Sequence, residues 1–281
     1  MCSAQRINLL VLSAALTGVL PSLCLSEPKP LWELGIGPAF IVFSDYPGAP
    51  ASHGYAVPFP YVRYRGKILH SDEEGLRGML FEQPSVAVNI SLGASVPVRS
   101  SEDSARGGMP NLDATFEVGP SLNFHLWHSR DSAVAVDFRL PARLAVTVDT
   151  RPRSVGWFMA PNINVDIHGP PELPGWKLGV LVGPIYSTRR YNDYYYSVAP
   201  EFETQQRAAY QAPGGYAGVE VVAALSRRFR TIWVGSFIRY RTLQGAVFAE
   251  SPLVKRTDDL AAGIGVAWLV SRSSRQVNAD D

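Results

Sequence analysis

Beyond position 24 the chain has no cysteine; Cys2 and Cys24 are its only two. Disulfides, thiolate nucleophiles and cysteine metal sites are thereby excluded from nearly the whole sequence. Charge of one sign is missing as well. Once Arg6 is set aside with the leader described below, 25 basic residues face 25 acidic ones, which leaves no electrostatic footprint for nucleic acid. After residue 26 no apolar run reaches 18 residues, so no helix is expected to cross a bilayer. Helical periodicity is weak, and 24 glycines and 22 prolines interrupt what there is. Phosphate-cradling loops and the HExxH metal motif are absent, and neither a metal nor another cofactor is implied.

The first 26 residues read as a cleaved signal peptide. Arg6 supplies the positive start, "INLLVLSAALTGVL" from Ile7 the apolar region, and Pro21 the break before a small residue, Ser26. Both cysteines leave with it.

What the chain does have is a period of two. In "VAVNISLGASVPV" the even positions from Val86 to Val98 are apolar, while Asn89, Ser91 and Ser95 take the other side. "AVAVDFRLPARLAVTVD", Ala133 to Asp149, is the most telling stretch. Val134, Val136, Phe138, Leu140, Leu144, Val146 and Val148 share one parity; Asp137, Arg139, Pro141 and Arg143 share the other. Pro141 removes a ladder hydrogen bond, so a bulge or kink is expected there.

Alternation alone fits a half-solvated antiparallel sheet or a transmembrane barrel. Length favours the barrel, because several runs exceed the five or so residues of an ordinary globular strand. Aromatic placement favours it too. Trp32, Phe124, Trp176 and Trp268 stand near one end of their apolar faces, and Phe40, Phe116, Trp157, Tyr186 and Tyr240 near the other, as two girdles would. Connections alternate between short and long, the long ones being 44–54, 99–112, 189–212 and 244–258. The expectation is an all-β protein: a transmembrane antiparallel up-and-down barrel of about twelve strands over 27–270, with a periplasmic tail at 271–281. Merging the two short strands within 55–82 would make ten, and a soluble β-sandwich or lipocalin-like barrel stays open as the alternative.

Charged residues on the polar parity cannot face lipid, where an Arg or Lys costs about 2–4 kcal/mol at the midplane. Glu117, Asp137, Arg139, Arg143, Asp166, Lys177, Glu220, Arg239 and Arg241 are therefore placed in the lumen, with Glu33, Arg63 and Arg65 beside them. Their signs nearly balance, so they either fill the lumen as a paired network or line a selective pore. The stretch "RRYNDYYYSVAPEFETQQRAAYQAPGGY" concentrates tyrosines: Tyr191, Tyr194, Tyr195, Tyr196 and Tyr210. These rings either cap the barrel mouth or form a recognition loop. His125 and His168 share the inner parity, and no outward Ser–His pair stands at the right parity for a lipid-boundary hydrolase, so no enzyme is expected.

Five motifs in order resemble the MipA/OmpV family of outer-membrane proteins, named for an MltA-interacting protein. They are "LGIGPAFIVFSDYPGA", "YAVPFPYVRYRG", "ARGGMPNLDATFEVGPSL", "YYYSVAP" followed by "YQAPGGY", and "ESPLV". The resemblance implies a Gram-negative outer-membrane barrel in contact with outer-membrane lipid. It also implies a scaffold linking a lytic murein transglycosylase to a penicillin-binding protein in peptidoglycan remodelling of the cell envelope. It carries over no catalytic residues. A solute channel with a charged lumen and a surface adhesin or antigen acting through the tyrosine-rich loops are the alternatives.

Overall fold

The structure, a computed structural model, describes residues 29–65, 69–72, 75–83, 85–131, 133–170 and 172–277. The expected signal peptide lies outside these residues, as do the last four of the chain and the side chain of Arg65.

Strand makes up most of the regular structure among the described residues. A two-residue β1 (Lys29–Pro30) precedes β2 (Trp32–Ser44), β3 (Ser52–Arg65), β4 (Leu69–Asp72), β5 (Gly75–Gln83) and β6 (Val86–Ser95). There follow β7 (Thr115–His128), β8 (Val134–Thr147), β9 (Ser154–Met159), β10 (Asn162–His168) and β11 (Trp176–Ser187). Helix α1 (Arg189–Tyr196) stands before β12 (Gly215–Arg228), β13 (Ile232–Thr242), β14 (Asp258–Arg272) and β15 (Gln276–Val277). Each strand from β2 to β14 pairs antiparallel with its neighbour, and β14 pairs back on β2, so the sheet closes into a barrel. Segments β9 and β10 run end to end between β8 and β11 and make one stave, which brings the wall to twelve.

Alternation decides which way each side chain points. On β2 the odd positions Glu33, Gly35 and Ala39 are buried, while Ile36 is 55% and Phe40 51% exposed. On β14 Ala261 and Ala267 are buried, while Leu260, Ile264 and Trp268 are about half exposed. Large apolar side chains thus cover the outside of the barrel, the surface that hydrocarbon chains and not water would cover. A closed barrel suits that solvent because it leaves each stave a partner on both sides. Among the described residues no helix is long and apolar enough to cross a membrane.

Three staves carry a Gly-Pro pair, at Gly37-Pro38, Gly119-Pro120 and Gly183-Pro184. Proline has no N–H to give the ladder. The pairing of β14 with β2 skips Gly37-Pro38, and that of β7 with β8 skips Gly119-Pro120. The neighbouring backbones close in at these points. A Cβ on Gly37 would sit 1.8 Å from the carbonyl oxygen of Val266, and one on Gly119 1.8 Å from that of Ala142. Only glycine fits ahead of these prolines.

Pro141 acts differently from the expected bulge. The register of β8 against β7 runs unshifted past it, and the irregularity passes to the next stave, which breaks into β9 and β10 at Ala160-Pro161. The Ala160 amide bonds the Pro141 carbonyl at 3.2 Å.

The tail expected beyond 270 does not simply hang. Strand β14 continues to Arg272, and β15 pairs with β1, so the two described ends of the chain form a short ribbon. The Leu31 amide bonds the Arg275 carbonyl at 2.8 Å and the Ser273 amide bonds that of Trp32 at 2.8 Å.

Candidate functional site

Strand register builds the interior. His125 stands opposite Asp137 across β7–β8, and Asp137 opposite Asn164 across β8–β10. That brings three staves' polar side chains to one point. Arg139 Nη2 donates to Asp166 Oδ2 at 3.1 Å and to Asp137 Oδ2 at 3.3 Å. His125 Nδ1 lies 2.9 Å from Asp137 Oδ1, and Asn164 Nδ2 donates to Asp166 Oδ2 at 2.6 Å.

A second group lies nearer the outer end. Arg143 reaches Glu117 at 3.6 Å, donates through Nε to Ser91 Oγ at 2.8 Å, and lies 5.5 Å from the centre of the Phe158 ring. Glu220 binds Arg241, its register partner on β13, with Arg239 at 3.9 Å. Arg241 also acts electrostatically on Glu117, and Arg143 on Glu220, so the pairs share one field. Near the periplasmic end Arg228 grips Glu33 with both terminal nitrogens. Lys177, half-buried, faces His168 across β10–β11. Every carboxylate of these groups has a cation against it, an arrangement that fills a lumen without presenting a file of like charges.

The opposite inner wall is apolar. Between Glu33 and Ser44 the inward positions of β2 are Gly35, Gly37, Ala39, Ile41 and Phe43. Between Asp259 and the end of β14 they are small or aliphatic. Trp233 of β13 stacks on Phe59 of β3, centroids 5.3 Å apart, with Tyr61 at 5.5 Å. Trp233 shares the inward parity of Arg239 and Arg241, a signal in the sequence that the girdle reading passed over.

The outer loops fold into a cap. Phe248 and Tyr196 stack at its centre, and Tyr46 meets Tyr196 edge-on at 6.0 Å. Tyr46 OH donates to the Leu253 carbonyl at 3.0 Å, and Tyr196 OH to that of Pro47 at 3.0 Å. Two buried guanidiniums, Arg106 and Arg207, tie the loops by donating to the carbonyls of Tyr195 and Ala105 at 3.1 and 3.0 Å. Tyr195 and Tyr196 are buried in this core; Tyr191, Tyr194 and Tyr210 are partly covered. Tyr191 reaches down from the cap, its hydroxyl 3.5 Å from Glu117 in the lumen. The Asp113 amide donates to Tyr194 OH at 2.7 Å, and burial pushes that phenol up to about 12. Tyr46 and Arg106 lie inside two of the quoted motifs, yet nothing in the sequence joins them, or Arg207 and Phe248, to partners far away along the chain.

Of the aromatics placed at the girdles, Trp157, Tyr186, Tyr240 and Trp268 are exposed on the outside; Trp32 and Trp176 are half-covered. Arg227 lies 5.9 Å from the Trp176 ring and 4.9 Å from that of Phe229. Trp127 joins the outside although strict alternation sends it inward. A bulge between His125 and Trp127 flips it, leaving it 56% exposed.

A cleft in the side of the cap is lined by Asp45, His53, Tyr55, Pro97, Arg99 and Glu102. His53 Nε2 is 3.3 Å from Asp45 Oδ1. Burial pushes the Asp45 carboxyl up, and His53 pulls it back in part. Among the described residues no cluster of three or more histidines and carboxylates could hold a metal ion.

The family described as MltA-interacting protein MipA matches residues 36–270. No curated protein matches the chain. Among solved structures, one titled "Bacterial polysaccharide outer membrane secretin" is similar with a TM-score of 0.41 and 11% identity, over 86% of this chain and 99% of that one. Outer membrane phospholipase A from Escherichia coli gives a TM-score of 0.35 and 13% identity, over 89% and 93%. A Pseudomonas aeruginosa FadL homologue gives 0.29 and 8%, over 75% and 60%. These likenesses are too distant to bear on what the barrel does.

Proposed function

The chain belongs to the MltA-interacting protein MipA family of the Gram-negative outer membrane, and from that premise we propose that it is a scaffold without enzymatic activity, holding murein-remodelling enzymes at the periplasmic end of a filled barrel. The partners implied are a lytic murein transglycosylase and, through it, a penicillin-binding protein.

The observation that carries this reading is the charge at the periplasmic rim. Among the described residues, Arg130, Arg230, Arg272 and Arg275 are exposed there, against exposed Asp131 and Glu172. Cations ringing one end steer and orient an acidic partner. The chain-end ribbon adds ordered backbone to a face otherwise made of short turns. A stable complex needs about 800 Å² from each partner, so the contact has to span several turns and the ribbon together.

The test is capture of the transglycosylase by the purified barrel, with Arg230, Arg272 and Arg275 changed to glutamate in a second preparation. Binding that falls with salt and is lost in the triple variant supports the scaffold. Equal capture by both preparations removes the rim from the account. Planar-bilayer recording separates the channel alternative: a scaffold with a compensated lumen stays silent, whereas discrete conductance steps would assign the barrel to transport.

A further inference from the structure

The cleft in the side of the cap is open space that a periplasmic scaffold does not use. It encloses about 290 Å³ between the outer ends of β2 and β3 and the segment 97–102. That is room for one small molecule and not for a folded partner.

The wall comes from the turn between β2 and β3. Phe43, His53 and Tyr55 take the inward parity of the two strands, and Phe43 stands opposite His53. Asp45 follows one step past the end of β2. The Tyr55 ring stacks on that of Phe43, centroids 5.1 Å apart, with the His53 ring 6.4 Å away. Pro97 and Val98 supply the facing apolar side, and Val98 is held there by its bridge to Leu112.

Asp45 is the unusual member. Its side chain is only 7% exposed, and Oδ1 lies 3.3 Å from His53 Nε2. Oδ2 accepts no hydrogen bond among the described residues, yet it is not sealed in, so it opens on the cleft that Asp45 lines. Asp103 and Glu102 act on Asp45 with like charge. Each of these two has a guanidinium of its own: Arg99 lies 3.2 Å from Glu102, and Arg106 feels the charge of Asp103. Asp45 is left with an imidazole. The lumen carboxylates, by contrast, each have an arginine against them. A nearly buried carboxylate in a field of like sign, with one oxygen turned to open space, calls for a cation with N–H donors.

We propose that the cleft binds a small primary amine in its ammonium form, the nitrogen donating to Asp45 Oδ2 and the carbon chain lying along Tyr55, Pro97 and Val98. The ammonium brings three donors and the missing positive charge. The Tyr55 ring adds its attraction for a cation. An anionic ligand would meet Asp45 and Glu102 at like charge, and a sugar would leave Asp45 uncompensated. This inference stands apart from the scaffold reading, because it concerns the outer end of the barrel and its test uses no murein enzyme.

The probe is butylamine, titrated calorimetrically into the full mature protein refolded in an octyl polyoxyethylene detergent. At about pH 8 carboxylates are ionised and alkylamines protonated. Saturable binding is expected. Butan-1-ol, the same chain without the charge, should bind at least about tenfold more weakly. Asp45→Asn, which keeps the shape of the side chain, should weaken butylamine binding by about tenfold. Tyr55→Leu keeps the carboxylate and should cost about threefold. The shift in gel mobility on heating reports that each variant has folded. Absent or non-saturating binding to the wild type, equal affinity for butan-1-ol, or unchanged affinity in folded Asp45→Asn overturns the proposal. Tighter binding of acetate or methyl glucoside than of butylamine also overturns it, by giving the cleft to an anion or a sugar.

Discussion

The ring of Phe248 lies flat on that of Tyr196, with centroids 3.9 Å apart and planes 10° from parallel. The two come from different outer loops, and Phe248 is 1% exposed. Phe248→Ala should therefore loosen the cap by about 3–5 kcal/mol, as large aromatic truncations in a packed core do. Proteolysis of intact cells or proteoliposomes would then cut within 189–214 of the variant but not of the wild type, while the staves stay protected. Equal resistance would mean that the loops are held by their hydrogen bonds alone.

Arg139 holds two carboxylates apart. Arg139→Gln leaves Asp137 and Asp166 facing each other with no guanidinium between them, a loss of about 3–5 kcal/mol by analogy with other broken buried pairs. Urea unfolding of the refolded barrel measures it. Changing Asp137 and Asp166 to asparagine as well should recover most of the loss, because three neutral groups can still hydrogen-bond. Failure of the triple variant to recover would place the effect in packing and not in charge.

The acid–base behaviour of Asp45 gives a pH test. Burial raises its carboxyl above the ordinary value of 3.8, with His53 offsetting part of the shift. The folded cap holds that proton more tightly than the unfolded chain does. The stabilisation is complete below the ordinary value and is lost as pH rises through the raised one. The ratio of cap proteolysis in wild type to that in Asp45→Asn should accordingly climb across that window. A ratio independent of pH would show that Asp45 titrates alike in both states.

Prolines 58 and 60 are expected to discourage β3 from pairing with a second molecule. Replacing both with valine returns two N–H donors to the side of β3 that faces away from β2. The variant should form dimers or larger species, seen by size exclusion and on unheated gels, where the wild type stays monomeric. A monomeric variant would mean that the two prolines do not decide whether this strand pairs with another molecule.

How legible this was differs from part to part. The staves and their inward charges could be read because a period of two survives along β7, β8 and β10, so parity alone sends Asp137, Arg139 and Arg143 to one side. Parity failed at Trp127, where one extra residue in the ladder reverses every later side chain on that strand. Register had to be seen to learn that Arg139 meets Asp166, since spacing says which face a residue takes but not its height on the neighbouring stave. The cap was the least accessible. Its tyrosines are conspicuous as a cluster, yet whether Tyr196 faces solvent or Phe248 depends on contacts between loops far apart in sequence.

The pairing of β1 with β15 has a topological consequence. Because the two described ends lie side by side at the same rim, the described stretch 29–277 is close to being a ring. Residues near 29 and 277 could be joined by a brief linker and new ends opened in the six-residue outer connection at 148–153, giving the same twelve staves in rotated order. In such a permutant the stave now completed last would sit in the middle of the chain, and the present Gly-Pro junction between β14 and β2 would form between consecutive strands.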